Sequence, residues 1–250
     1  MQGPQTSAGS VTVVDAHSRP RPASPTFRRP RSGEEQELLD WFLEQALRRV
    51  PRGHAVTVFR EPRVESAFPD LVIVAWKPSI ARDWSAERLH LRMSDMRLVH
   101  YLWAHGPRDL KELRQVFPRS LTAALERVLA ADLVRRVGVL WTPRAISRTF
   151  AATRIIAIEA KMKHWSGAVE QACLNTWFAS SSYVLVPRVP RGATVPTPAR
   201  MLGVGVLTQH SDALDTLWSR VDDLPRSYAS WLFNDWAWRA SHTGLAWRPS

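Results

Sequence analysis

The chain has 250 residues, is 45% hydrophobic and carries a formal net charge of +11, with a pI near 11.0. That length allows one full core plus a small module, and the charge favours a polyanionic partner. A lone cysteine, Cys173, excludes an intrachain disulfide or a cysteine zinc cluster. No apolar run reaches membrane-spanning length, so a cytoplasmic protein with no membrane partner is expected.

Residues 1–32 set Arg19, Arg21, Arg28, Arg29 and Arg31 among prolines and serines, and this basic arm is expected to be disordered, either tracking phosphates or keeping the protein soluble. A helix follows over 33–50, with Leu38, Leu39, Phe42, Ala46 and Val50 on one stripe. Ser32 is its expected N-cap, and Glu35 stands three positions on, where a capping-box partner belongs. Strands are expected over 55–59 and 68–75, the second containing Asp70. Residues 77–153 then separate that strand from the next, far more than an ordinary connection.

The long separation has its own pattern. Helices are expected over 94–104, 109–117 and 120–132, closed by Gly106-Pro107 and Pro118. Leu133 to Trp141 reads as a hairpin turning near Gly138. Three helices and a hairpin resemble a winged helix-turn-helix, in which the third helix enters a groove and the wing touches backbone. Arg119, Arg127, Arg135 and Arg136 are its candidate DNA contacts. Such modules also dock proteins, and the third helix is rather apolar.

The strand over 154–161 carries Glu159 and Lys161, two residues apart and so on one face. A purely structural strand avoids burying such charges. Asp109-Leu110-Lys111 has the same acid-x-lysine spelling, but in a helical segment, where residues two apart do not share a face. Lysine is scarce: Lys77, Lys111, Lys161 and Lys163 are the only ones, the other basic residues being arginine. A lysine near a metal can shift its pKa and help activate water, whereas arginine stays protonated. Beyond the strand come a helix over 167–179, a strand over 183–186, a proline-rich loop over 188–200 and a strand over 201–207.

Pro69-Asp70 followed by Glu159-Ala160-Lys161 resembles the PD-(D/E)xK nuclease superfamily, the restriction-endonuclease-like fold. The order helix, three strands, helix, strand matches that superfamily core over most of 33–207. The resemblance implies a mixed α/β fold, a mixed sheet flanked by helices, with a winged-helix insertion. It divides the chain into the arm at 1–32, a discontinuous core at 33–76 and 154–207, the insertion at 77–153 and a helical C-terminal extension at 208–250.

The resemblance further implies a metal-dependent nuclease, in all expectation a DNA endonuclease. Asp70, Glu159 and the Ala160 carbonyl would bind Mg²⁺, with Mn²⁺ as a substitute, and Lys161 would assist the attacking water. Glu35 matches a glutamate that many members bring to the metal, with helix capping as its other reading and Glu34 and Glu37 as competitors. Gln171 matches a glutamine beside some members' sites, or is a solvated helix residue. Lys163 and His164 would reach a phosphate. The competing function is a non-catalytic DNA-binding regulator or structural subunit that reuses the fold.

Beyond Gln209 the chain holds Trp218, Trp231, Trp236, Trp238 and Trp247. Packing over an open sheet edge is the plain reading. A homodimer or larger-complex interface, or base stacking on single strands, are the alternatives.

Overall fold

The computed structural model describes residues 10–18, 25–29, 32–65, 67–163, 166–188, 197–209, 217–218 and 224–242. The chain is mixed α/β, with a six-stranded mixed sheet flanked by helices. The sheet is formed by β1 (Val11–Val14), β2 (Ala55–Arg60), β3 (Leu71–Trp76), β6 (Ala152–Ala160), β7 (Ser181–Val186) and β8 (Gly205–Thr208), in the order β1-β2-β3-β6-β7-β8. The intervening β4 (Val134–Val137) and β5 (Leu140–Pro143) form a separate hairpin. Within the sheet the β2–β3 and β3–β6 pairs are antiparallel and the other three are parallel.

Both faces of the sheet are covered, which is why β3 is buried at all six positions and reads as an unbroken apolar run. On one face, α1 (Glu34–Leu47) lays Leu38, Leu39, Phe42, Leu43 and Ala46 over Val56, Val58, Leu71, Ile73, Ile156 and Ile158. Its N-cap is Gly33, without a side-chain cap, so neither Ser32 nor Glu35 forms the expected capping box. On the other face lies α9 (Tyr228–Ser241), beside α7 (Ser166–Asn175), which crosses from β6 to its parallel neighbour β7. α8 (Thr197–Met201) leads to β8 and shortens the strand expected over 201–207.

Between β3 and β6 the chain forms α2 (Pro78–Ala81), a 3₁₀ turn (Ala86–His90), α3 (Met93–His105), α4 (Leu110–Val116), α5 (Leu121–Ala130), the β4–β5 hairpin and α6 (Ile146–Thr149). Asp109 caps α4 through the Glu112 N–H, so the Asp109-Leu110-Lys111 spelling does lie at a helix start. Asp95, fully buried at the start of α3, accepts two hydrogen bonds of 2.7 Å from Arg127 of α5.

Two expected boundaries need correction. The segment 1–32 is not wholly a disordered arm, because β1 is an edge strand of the sheet. Farther along, Thr26 and Arg28 exchange backbone hydrogen bonds with Arg63 and Glu61. Arg19, Arg21 and Arg31 lie outside the described residues. At the other end, α9 is no extension over an edge. Every residue from Ala229 to Ala240 is buried, between the sheet and the elements of the long β3–β6 connection. Trp231 packs on Trp103 and Phe150, while Phe233 and Trp236 meet Phe59. These tryptophans belong to the core and offer no free surface for stacking or docking; Trp218 is half-buried, and Trp247 lies outside the described residues.

A helix buried all round must satisfy its polar residues internally. Asp235 pairs with Arg88 and Arg239, and the Arg88 guanidinium lies 3.4 Å from the Trp84 ring centre. Burial lowers the Arg88 pKa to about 10, against the opposing charge of Asp235. Asn234 accepts from the Ala151 and Ala152 N–H groups at 2.7 and 3.0 Å and donates to the Thr149 carbonyl. It thus fixes the entry of β6. Asn234→Ala orphans two buried N–H groups and should lower stability by about 3 kcal/mol in a denaturant titration.

Candidate active site

Register builds the site. β3 and β6 pair with Leu71 opposite Ile158 and Val72 opposite Ala157. Continued one step, that ladder puts Asp70 opposite Glu159. The β2–β3 ladder, with Arg60 opposite Leu71, likewise puts Glu61 beside Asp70, and the Glu61 N–H donates to the Asp70 carbonyl at 3.0 Å. Three carboxyl residues therefore stand in a row across three neighbouring strands, at the end of the sheet.

Each is held from a different direction. Asp70 Oδ2 accepts the Ala160 N–H at 2.9 Å. Glu159 is 3% exposed, and its Oε1 accepts from Asn175 Nδ2 of α7 at 2.7 Å. Lys161, one residue past β6, donates its N–H to the Leu185 carbonyl. Its ammonium reaches Glu35, with Nζ 3.2 and 3.3 Å from the two carboxylate oxygens. Glu35 sits in the first turn of α1 on the opposite face, so Lys161 bridges the two layers over the end of the sheet. Arg28 Nε donates to Glu61, and Arg28 Nη2 lies 3.6 Å from Asp70 Oδ1.

The electrostatics follow from this crowding. Burial raises the Asp70 pKa above its ordinary 3.8; the Ala160 N–H and the Lys161 charge oppose the rise, and Glu61 adds to it. Glu159 is pushed up to about 8, first by burial and then by the charge of Asp70, against the Asn175 hydrogen bond and Lys161. A carboxylate pair of this kind is held together at a cost and favours a cation between its members.

Of the residues expected from sequence, the structure brings together Glu35, Asp70, Glu159, Ala160 and Lys161. Glu35 is the one of its three neighbouring glutamates that touches Lys161. Gln171 is exposed on α7, and the amide on Glu159 is Asn175, one helical turn later. Lys163 is exposed in the turn after β6, since the strand ends at Ala160 and cannot carry Lys163 on its face. His164 lies outside the described residues. Arg119, Arg135 and Arg136 are exposed on the β3–β6 connection, but Arg127 is committed to Asp95 and is not a free contact. Asn175, Arg28 and Glu61 carry no motif spacing; the apolar neighbours Ala168 and Ala172 place Asn175 on the inner face of α7, the one sign of it in the sequence.

Comparison with known proteins gives no match. No family model, curated protein or solved structure matches this chain.

Two carboxyl groups whose joint ionisation is opposed by burial and by each other fit a hard divalent cation with oxygen preference. No group of three His, Cys, Asp or Glu residues suited to a metal ion occurs among the described residues, so water would complete a coordination shell. Asp70 and Glu159 are the residues that would hold the ion.

The Glu159 shift has a signed consequence. Its folded pKa is raised, so its contribution to stability is full below about 4.5 and is lost as pH rises through about 8. Glu159→Gln keeps an acceptor for Asn175 and removes the ionisation. In the metal-free protein it should match the parent at pH 4 and exceed it at pH 9, by up to about 5 kcal/mol. Melting temperatures at the two pH values check this, and equal shifts at both would refute it.

Proposed function

We propose that this chain is a metal-dependent phosphodiesterase of the PD-(D/E)xK type that cuts DNA, as an endonuclease with Mg²⁺ or Mn²⁺. One observation carries the reading. Residues distant in sequence, Glu35, Asp70, Glu159 and Lys161, meet at one end of the sheet, where two carboxylates face each other beside an ammonium. In a nuclease of this type the cation neutralises charge on the phosphate and polarises it for attack.

The chain's own groups supply the rest. Asp70 and Glu159 would hold the ion, with the Ala160 carbonyl as a further oxygen, and Asn175 orients Glu159. Lys161, held by Glu35, aligns the attacking water and balances the negative charge that develops on the phosphate. The basic surface raises the local concentration of a polyanion.

The three helices α3, α4 and α5 with the β4–β5 hairpin support a winged-helix reading of the inserted segment. The exposed face of α5 holds Thr122, Ala123, Glu126 and Leu129, a poor set for reading a groove. Arg135 and Arg136 are exposed on β4, and the Arg136 guanidinium stands 5.9 Å from the Trp141 ring centre. In this reading the hairpin makes the DNA contact. Arg135→Ala with Arg136→Ala should weaken binding to all sequences and reduce the magnitude of the log–log salt slope by about 2, read by fluorescence anisotropy.

Cleavage of supercoiled, linear, branched and single-stranded DNA tests the enzyme itself. Cutting should require Mg²⁺ or Mn²⁺, stop in EDTA, vanish in Asp70→Ala and fall by roughly 10²-fold or more in Lys161→Ala. Salt-sensitive binding without cutting by any form would instead identify a DNA-binding regulator that reuses the fold.

A further inference from the structure

Arg28 belongs to no expected site, yet it is built into this one. The Arg28 N–H donates to the Glu61 carbonyl at 3.0 Å, the Arg63 N–H donates to the Thr26 carbonyl at 2.7 Å, and Phe27 bridges to Pro62. The segment before α1 is therefore stitched to the chain just ahead of Asp70, and the backbone of Arg28 is fixed. Glu61, the partner of its side chain, has a φ of 48° and a buried carboxylate, a conformation that a non-glycine residue adopts rarely.

The guanidinium is anchored without being used up. Among the described residues, Nε is the one of its five donors that makes a side-chain hydrogen bond, to Glu61. Nη2 lies 3.6 Å from Asp70, too far for a hydrogen bond and close enough for attraction. The Arg28 side chain is 46% exposed, whereas those of Glu61 and Asp70 are 10% and 19% exposed. The Arg28 side chain is thus far more exposed than the two carboxylates beside it.

We propose that Arg28 is a further substrate-binding residue, whose Nη donors take a non-bridging oxygen of the phosphodiester, with Glu61 as the residue that positions it. This rests on the phosphodiesterase reading above. A planar guanidinium fixed at Nε presents its remaining edge to a phosphate in one orientation.

The test uses the full chain with Arg28→Ala, Arg28→Lys, Glu61→Gln and Asp70→Asn. Binding of a fluorescent DNA duplex in EDTA gives a readout independent of catalysis. Asp70→Asn removes the competing charge beside Arg28 and should tighten binding several-fold, a gain that Arg28→Ala in the same protein abolishes. In Mg²⁺, Arg28→Ala should lower kcat/KM by roughly 10²-fold, and Arg28→Lys should recover part of the loss. Glu61→Gln should raise KM more than it lowers kcat. Melting curves identify variants that fail to fold; Arg28→Lys, which keeps the charge, then decides. Folded Arg28→Ala protein with parental binding, kcat and KM would overturn the proposal, leaving Arg28 as a structural counter-ion. Absence of cleavage by the parent under every condition would instead sink the phosphodiesterase reading, while the Asp70→Asn binding result still reports on Arg28.

Discussion

The pairing register of β3 with β6 is the constraint on which the site depends. Leu71 opposite Ile158 brings the residue before β3 and the residue near the end of β6 side by side, although they lie about ninety positions apart in sequence. A slip of one residue would turn every side chain of a strand to the other face. Such a slip is blocked because both faces of β3 are buried against different layers, α1 on one side and α9 on the other. The apolar pattern that specifies the fold thereby also specifies the meeting of Asp70 and Glu159. Burying two carboxyl groups there is unfavourable, and the strand ladders hold them in place regardless.

The second organising feature is α9. Its residues complete the same apolar cluster that includes Val72 and Ile155 of the sheet and Leu98 and Leu102 of α3. The segment between β3 and β6 therefore shares a core with the sheet through a helix contributed by the C-terminal part of the chain. Asn234 adds a polar fastening at the point where that segment returns to β6. Displacing α9 would loosen the start of the strand that carries Glu159, so the geometry of the site and the packing of the C-terminal region are mechanically coupled.

What the sequence disclosed and what it concealed follow from the range of the interactions. The strands of Asp70 and Glu159, the three helices and the hairpin were legible because alternation, helical spacing, Gly106-Pro107 and Pro118 are local signals. The place of Glu35 at the site was half legible, since helical phase aimed it inward but could equally have made it a cap; its pairing with Lys161 was not foreseen. Asn175 was displaced by one turn from the expected Gln171; both share a helix face, and only the depth of packing selects between them. Arg28 and Glu61 left no local trace, because they act through backbone hydrogen bonds between segments more than thirty residues apart. The role of α9 was hidden for the same reason: a stripe of tryptophan and phenylalanine fits an interface or a core equally well until its neighbours are known.

The charges at the site explain how these pieces could work together. Among the described residues, Glu35, Glu61, Asp70 and Glu159 are paired with Lys161 and Arg28, so four carboxyl groups meet two cations and two negative charges are left when all are ionised. Each cation is pinned to an outer carboxylate, Lys161 to Glu35 and Arg28 to Glu61. The uncompensated charge falls on the inner pair, Asp70 and Glu159. Glu159 relieves part of it near neutrality by keeping its proton, which is what a pKa of about 8 means physically. In the phosphodiesterase reading a divalent ion would supply the missing charge and displace that proton, coupling ion binding to pH. A chain of net charge +11 would then draw DNA in over its surface, while the Asp70–Glu159 pair would take the cation. The flanking Lys161 and Arg28, each already fixed on an outer carboxylate, would be positioned to meet the phosphate from either side.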